Sequence, residues 1–371
     1  MIRRMSRNSM MAVLLAGLMT GASGMGGPVL AASDVHFSPL PLLKFANQVF
    51  GEQTVLGAVE ALTGQAQVSA GSDGRITVLA VGSDHRDGKY NGERTDTILI
   101  MSINTNNHMI SAASIPRDTA RVPLAPALGG GIFTDKINGM LKWFKKQSGG
   151  SRAAGMEKLR IEIEYLVATP IDYVAYIRFD GFDTLVDEAG GIQTSISAEI
   201  RDPDYIDRPG YPVGARFLAD NSVVLGGAQA ERCYGGYPKP VKDWSTVMSC
   251  HRALVYVRSR HGKVGSTANN DFKRSARQQS FIYDALRQLR NTPSTAQSVR
   301  AKANDIPMDF YTTIPISTPA DGVALLNLAD GATMPYRVVF SPSTYATKVS
   351  AHYELKLTAV RAWCDQYMGP V

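Results

Sequence analysis

The apolar and polar positions along the chain switch between strand and helix periods several times. Ile76–Gly82 is a nearly continuous apolar run bounded by glycine, which predicts a strand buried on both faces. Two more apolar runs, Thr97–Ile103 and Met109–Ile115, flank the turn formers Asn104–Asn107 and predict a hairpin. Met140, Leu141 and Phe144 are spaced as on one helix face, and a second helix is expected over Ala154–Val167. Asp172–Phe179 alternates as a strand does. Phe182–Ala189 predicts a short helix stopped by Gly190 and Gly191, and Ile192–Ile196 another strand. Arg201–Pro212, rich in Pro and Asp, is expected to be a loop. Beyond Asn291 the pattern predicts a strand-helix-strand remainder over Ala320–Leu328 and Tyr336–Phe340, then a final helix from about Val349 to Met368. Ahead of all this, residues 39–67 carry helical apolar spacing and form a lead-in. The expected division is an N-terminal segment over 1–33, the lead-in over 34–75 and the main domain over 76–371.

Polar residues concentrate at the ends of these elements. Tyr256-Val-Arg-Ser-Arg260 is followed, after a polar loop, by Asp271-Phe-Lys-Arg274-Ser-Ala-Arg277-Gln278 and an amphipathic helix. With a helix starting at Asp271, that residue, Arg274 and Gln278 share one face, and the Asp271 carboxylate caps the first turn. Arg258 and Arg260 point the same way if Ala253–Arg260 is a strand, and diverge by about 200° if it is helical. Planar, permanently charged guanidinium groups suit phosphate, so the stretch reads as an anion site. The plain alternative is a solvated helix end. Three strand ends add Ser83-Asp84, Arg94-Thr-Asp96 and Arg117-Asp118. Ligand sites in open α/β sheets gather in loops beyond strand ends. Carboxylates there can hold a metal and arginines a phosphate, or they are ordinary surface pairs.

The N-terminus changes what the anion can be. Arg3, Arg4 and Arg7 precede a run from Met10 to Ala32 without a charged residue, which has the form of a signal peptide or an uncleaved signal anchor. An exported chain with a net charge of +6 faces envelope phosphates rather than nucleic acid. Cys233 and Cys250 bracket a Gly/Pro-rich loop and are the disulfide candidates, with Cys364 left over; three reduced thiols are the alternative.

Several chemistries are missing. The chain has no G-x-S-x-G elbow, no G-x-x-x-x-G-K-[ST] loop and no zinc spacing among its six histidines. Asp84 and Asp96 instead suit a hard ion, Mg²⁺ or in its place Mn²⁺, held together with substrate phosphate.

The ordered motifs resemble the LytR-CpsA-Psr family of cell-envelope phosphotransferases. The resemblance rests on Val78-Leu-Ala-Val-Gly-Ser-Asp84, Arg94-Thr-Asp-Thr-Ile98, Ser114-Ile-Pro-Arg-Asp118, Lys136-Ile-Asn138, Val186-Asp-Glu-Ala-Gly-Gly-Ile192, Ala253-Leu-Val-Tyr-Val-Arg-Ser-Arg260 and Asp271-Phe-Lys-Arg274 with Arg277-Gln-Gln279. It implies an α/β domain whose central mixed sheet is flanked by helices on both faces. It also implies transfer of a glycan-1-phosphate from a polyprenyl-pyrophosphate carrier to peptidoglycan, with Mg²⁺, at the outer face of the cytoplasmic membrane. Matched motif by motif, Arg94, Arg117, Arg258, Arg260, Arg274 and Gln278 would hold the pyrophosphate. Asp84 and Asp96 would hold the metal or orient the attacking hydroxyl, and Asp271 would steady Arg274 or its neighbours. Ile137, Met140, Leu141, Phe144, Tyr173 and Phe182 are candidates to line a pocket for the polyprenyl tail, or else ordinary core. The insertion between Leu225 and Ala253 departs from the family pattern. Two rival activities stay open: a pyrophosphatase acting on polyprenyl pyrophosphate, and a non-catalytic module that binds anionic glycans or lipid phosphates.

Overall fold

The computed structural model describes residues 69–84, 93–206, 213–230, 247–261, 270–315 and 330–371, together with Cys233, Asp243, Ser245, Asn327 and Leu328. The N-terminal segment, residues 34–68 of the lead-in and most of Ala320–Leu328 lie outside the described residues.

Six strands form one mixed sheet, and a short ribbon of β4 (Val122–Pro123) and β5 (Ile132–Phe133) pairs apart from it. The three runs that open the domain build its centre: β1 (Arg75–Ser83), β2 (Thr95–Asn104) and β3 (Met109–Ser114) pair antiparallel in sequence order. β6 (Tyr173–Arg178) lies parallel to β1, and β12 (Thr333–Val339) parallel to β3, while β11 (Phe310–Thr312) closes one edge. The apolar runs are continuous because both faces of the sheet are covered. Leu79, Val81, Ile98 and Ile100 point into a core shared with α1 (Met140–Gln147), α2 (Arg152–Val167) and the last helix, α7 (Leu357–Met368). Leu99, Met101, Ile110 and Ala112 face the other way, against Ile282 and Tyr283 of α5 (Asp271–Asn291).

A second apolar cluster joins α3 (Phe179–Glu188), β7 (Ile192–Ile196), α4 (Ala253–Arg258) and Phe281 of α5. It includes a two-stranded ribbon where a loop was expected. Ile200–Ile206 is strand β8, paired antiparallel with β9 (Val213–Phe217). Its Asp and Pro residues mimic turn chemistry, but Ile200, Asp202 and Tyr205 are buried against the cluster, and that packing fixes the extended backbone. β7 pairs instead with β10 (Asp220–Leu225).

The C-terminal part also differs from expectation. Pro293–Asp305 is a helix, α6, with Pro at its start. Val349 does not open a helix. It ends β13 (Ala346–Val349), which pairs with β14 (His352–Leu355) before α7 begins. Of the residues offered as a tail pocket, Ile137, Met140, Leu141 and Phe144 are closed into the core below the sheet. Phe182 packs in the second cluster, 5.7 Å from Phe281, so these side chains do not line one cavity.

One buried charge stands out within this frame. Glu162 on α2 is fully buried, and its Oε2 accepts a hydrogen bond from the Ala125 N–H at 2.9 Å. Its Oε1 has no partner. Burial pushes its pKa up to about 7. A carboxyl raised in the folded state binds its proton more tightly there than in the unfolded chain. Stability is therefore fully present below the unfolded value and is lost as pH rises through about 7. Glu162→Gln copies the neutral form, so thermal unfolding followed against pH should show no difference at pH 4.5. Above pH 7.5 the variant should be more stable by about 1–3 kcal/mol.

Candidate active site

The three polar strand ends meet at one edge of the sheet, as their order along β1–β3 requires. Asp84 follows β1. Its backbone N–H donates to the Arg94 carbonyl at 3.0 Å, and its Oδ1 accepts from the Arg94 N–H at 2.7 Å. This reciprocal pair carries the strand register past β1 and sets Asp84 beside the start of β2. There Asp96 Oδ1 accepts from Arg117 Nη1 at 2.5 Å. The charge of Asp96 reaches Asp84, and so do those of Arg94 and Arg117. Burial pushes the Asp84 carboxyl up, and Asp96 adds to the rise.

The helix α5 supplies the opposite wall. Asn270, not Asp271, caps it: the Asn270 side chain accepts from the Lys273 N–H at 3.0 Å. Asp271, relieved of that role, turns its carboxylate to arginines from three parts of the chain. Oδ1 lies 3.2 Å from Arg274 Nη1, 3.5 Å from Arg260 Nη1 and 3.9 Å from Arg117 Nε. Arg274 is almost fully buried and also donates from Nη2 to the Asp96 carbonyl at 3.1 Å, tying α5 to β2. Burial alone would weaken the charge on Arg117. Asp96, Asp271 and Asp118 outweigh it and hold the guanidinium above its ordinary range. The Nε atoms of Arg117 and Arg274 are buried and make no hydrogen bond.

The remaining expected residues are placed differently. Ala253–Arg258 is helical, and Arg260 comes two residues after its last turn, which brings it to Asp271. Arg258 points instead at two aromatic rings, 4.4 Å from the centroid of Phe179 and 5.5 Å from that of Tyr205, and donates to the Tyr205 hydroxyl at 3.0 Å. Gln278 is buried, and its Nε2 donates to the Val257 carbonyl at 3.0 Å, so it holds the end of α4. Arg94 is exposed at the rim.

Three further side chains belong here. Lys136 Nζ pairs with Asp118 at 2.7 Å. Tyr353 reaches the site from β14: its N–H donates to the Asp118 carbonyl at 3.1 Å, its carbonyl accepts from Ala120, and its ring meets Phe272 edge-on at 5.3 Å. Burial raises the Tyr353 phenol, and the charges of Asp271 and Asp118 add to this. Asp202, in the ribbon taken for a loop, is the third. Lys136 and Asp118 stood within motifs; nothing in the local pattern pointed to Tyr353 or Asp202.

Among the described residues the cations Arg94, Arg117, Lys136, Arg260 and Arg274 are thus interleaved with Asp84, Asp96, Asp118 and Asp271. Such a cluster cannot simply collect anions. Asp84 and Asp96 sit close enough to repel one another, and each leaves its Oδ2 without a described partner. Two carboxylates, each with one oxygen that lacks a partner among the described residues, and flanked by arginines, fit an ion that takes one or two carboxylates and completes its shell with water and phosphate.

The insertion is closed on itself by a covalent bond. Cys233 and Cys250 form a disulfide with Cα atoms 4.8 Å apart, and Cys364 is a buried free thiol. The Cys250 N–H donates to the Arg216 carbonyl of β9 at 2.7 Å, three residues before α4 begins.

Residues 47–333 match the LytR_cpsA_psr family, well over half of the chain. The chain belongs to that family. Among curated relatives, 123 residues are 32% identical to the polyisoprenyl-teichoic acid–peptidoglycan teichoic acid transferase TagU of Halalkalibacterium halodurans, covering 33% of this chain and 35% of that protein. A 259-residue match, 22% identical, to the cell wall biosynthesis protein LcpA of Corynebacterium glutamicum covers 62% of this chain and 43% of the relative. The chain thus spans less than half the length of these curated relatives. In fold it is similar to Bacillus subtilis TagV, with a TM-score of 0.51, 20% identity, and 80% and 98% of the two chains covered. It is likewise similar to protein gbs0355 of Streptococcus agalactiae, with a TM-score of 0.55, 18% identity, and 79% and 88% covered.

Opening the Cys233–Cys250 bridge frees a loop of 17 residues, which should cost about 3 kcal/mol. Denaturant unfolding of Cys233→Ser/Cys250→Ser should show a loss of that order, and an unchanged midpoint would mean that the bridge constrains nothing.

Proposed function

We propose that this chain is a phosphotransferase of the cell envelope. It would move a glycan-1-phosphate from a polyprenyl-pyrophosphate carrier to a peptidoglycan sugar hydroxyl, outside the cytoplasmic membrane. The observation that carries the reading is the interleaved cluster, in which Arg117, Arg260 and Arg274 converge on Asp271 beside the Asp84–Asp96 pair. Transfer of a phosphoryl group needs charge stabilisation on the non-bridging and leaving oxygens more than it needs covalent help. Arg117, Arg260 and Arg274 would supply it, with Arg94 and Lys136 at the rim. The teichoic acid transferase named among the relatives supports the substrate class, and family membership supports the reaction.

Asp84 and Asp96 would hold Mg²⁺, which when bound neutralises phosphate charge between them. Orienting the attacking hydroxyl is the alternative role for this same pair of carboxylates. Arg258 and Gln278 serve this reading as supports: the first stacks between rings on the ribbon side, and the second holds the end of α4. The export-like N-terminus supports the envelope location, although no helix among the described residues is long and apolar enough to cross a membrane.

The test is product analysis by mass after incubation with Mg²⁺, a synthetic polyprenyl-pyrophosphoryl glycan and peptidoglycan fragments. A phosphodiester-linked conjugate is expected. Free phosphorylated glycan without conjugate would make the chain a pyrophosphatase, and binding without turnover that survives Asp96→Ala would make it a binding module. Arg260→Ala should lower turnover at least a hundredfold with its melting temperature unchanged, since its contacts are with the site rather than the core.

A further inference from the structure

The turn that follows α4 is gripped from two sides. The last turn of a helix leaves carbonyls without intrahelical partners, and three carbonyls of this turn are met by side chains of α5. Arg277 donates from Nε to the Tyr256 carbonyl at 3.2 Å and from Nη2 to the Ser259 carbonyl, and Gln278 takes the Val257 carbonyl. On the opposite side, Asp202 of β8 takes the N–H groups. Its Oδ2 accepts from Ser259 Oγ at 2.8 Å, from the Arg260 N–H at 2.9 Å and from the His261 N–H at 3.1 Å. Its Oδ1 accepts from the Asp204 N–H at 3.2 Å, and His261 Nδ1 lies 4.0 Å away. Asp202 is completely buried.

A carboxylate at the end of a helix is unfavourable, because the macrodipole is negative there. A buried carboxylate is costlier still unless it is paired and hydrogen-bonded. Asp202 meets both conditions. Its three Oδ2 bonds are charge-assisted, and its charge interacts with the buried guanidinium of Arg277 across the turn. The bonds fall on the residue before Arg260, on Arg260 itself and on the residue after it. A core-filling role needs no such focus, since an apolar residue would pack the ribbon against α4 at less cost.

We infer that Asp202 is a positioning residue: with Arg277 it fixes the backbone of Ser259–His261 and so aims the Arg260 guanidinium at the anion held by Asp271's arginines. The inference rests on the anion-site reading proposed above. It gives the β8–β9 ribbon a function, because the strand that carries Asp202 also carries Tyr205, which braces Arg258 on the same segment.

A double-mutant cycle tests it, with binding of a short-chain polyprenyl pyrophosphate in the presence of Mg²⁺ as the readout. Asp202→Asn keeps the shape and removes the charge. It should weaken binding about tenfold in the otherwise native chain and less than twofold in an Arg260→Ala background, because Asp202 acts through Arg260. Amide hydrogen exchange at residues 260 and 261 should quicken in the same variant. Ser259→Ala, which removes only one of the three bonds, gives a milder form of both effects should Asp202→Asn fail to fold. Equal losses in both backgrounds, or unchanged exchange, would overturn the inference while leaving the anion site standing. Native protein that does not bind the probe would overturn the anion-site reading, and the inference with it.

Discussion

The carboxylate of Asp271 is the contact on which the site depends. It stands at the first position of α5, and guanidinium groups from the turn after α4, from the segment after β3 and from α5 itself converge on it. None of those three elements would hold an arginine in place by local structure alone. Like charges this close repel, so the cluster exists only because Asp271 and Asp96 lie among them. Helix capping makes this arrangement available. Asn270 accepts the N–H that Asp271 would otherwise have taken, and the aspartate is left to organise cations.

The central sheet does the complementary work. Three strands paired in sequence order bring Asp84, Asp96 and Arg117 to one edge. Covering both faces makes those strands rigid, so the polar residues at their ends inherit a fixed frame.

This division explains what could be read directly from the chain. β1 to β3, α1, α2, β6 and β7 announce themselves because burial on both faces, or on one helical stripe, imposes a period on the residues. The site residues at their ends followed from that frame. Arg258 and Gln278 were legible as residues near the site, but not in their orientation, because a six-residue apolar run does not decide between strand and helix. The β8–β9 ribbon and the β13–β14 hairpin were not legible. A two-stranded ribbon takes its conformation from what it packs on, and its Asp and Pro residues carry the local signature of a turn. Asp202 and Tyr353 were therefore missed together with the strands that deliver them. α6 was missed for a related reason, since its surface is polar and lacks a clear apolar stripe.

The interleaving of charges has a consequence for encounter kinetics. A groove lined by one sign of charge gathers its ligand from many ångströms away. Here five described cations are offset by four carboxylates at distances well inside a Debye length, so the cluster's field falls off sooner than that of a groove of one sign. Selection falls to contact: a ligand has to present its oxygens where the arginines already point before it gains anything. Such a surface is strict in what it keeps: a ligand whose oxygens do not match the guanidinium pattern meets a carboxylate instead.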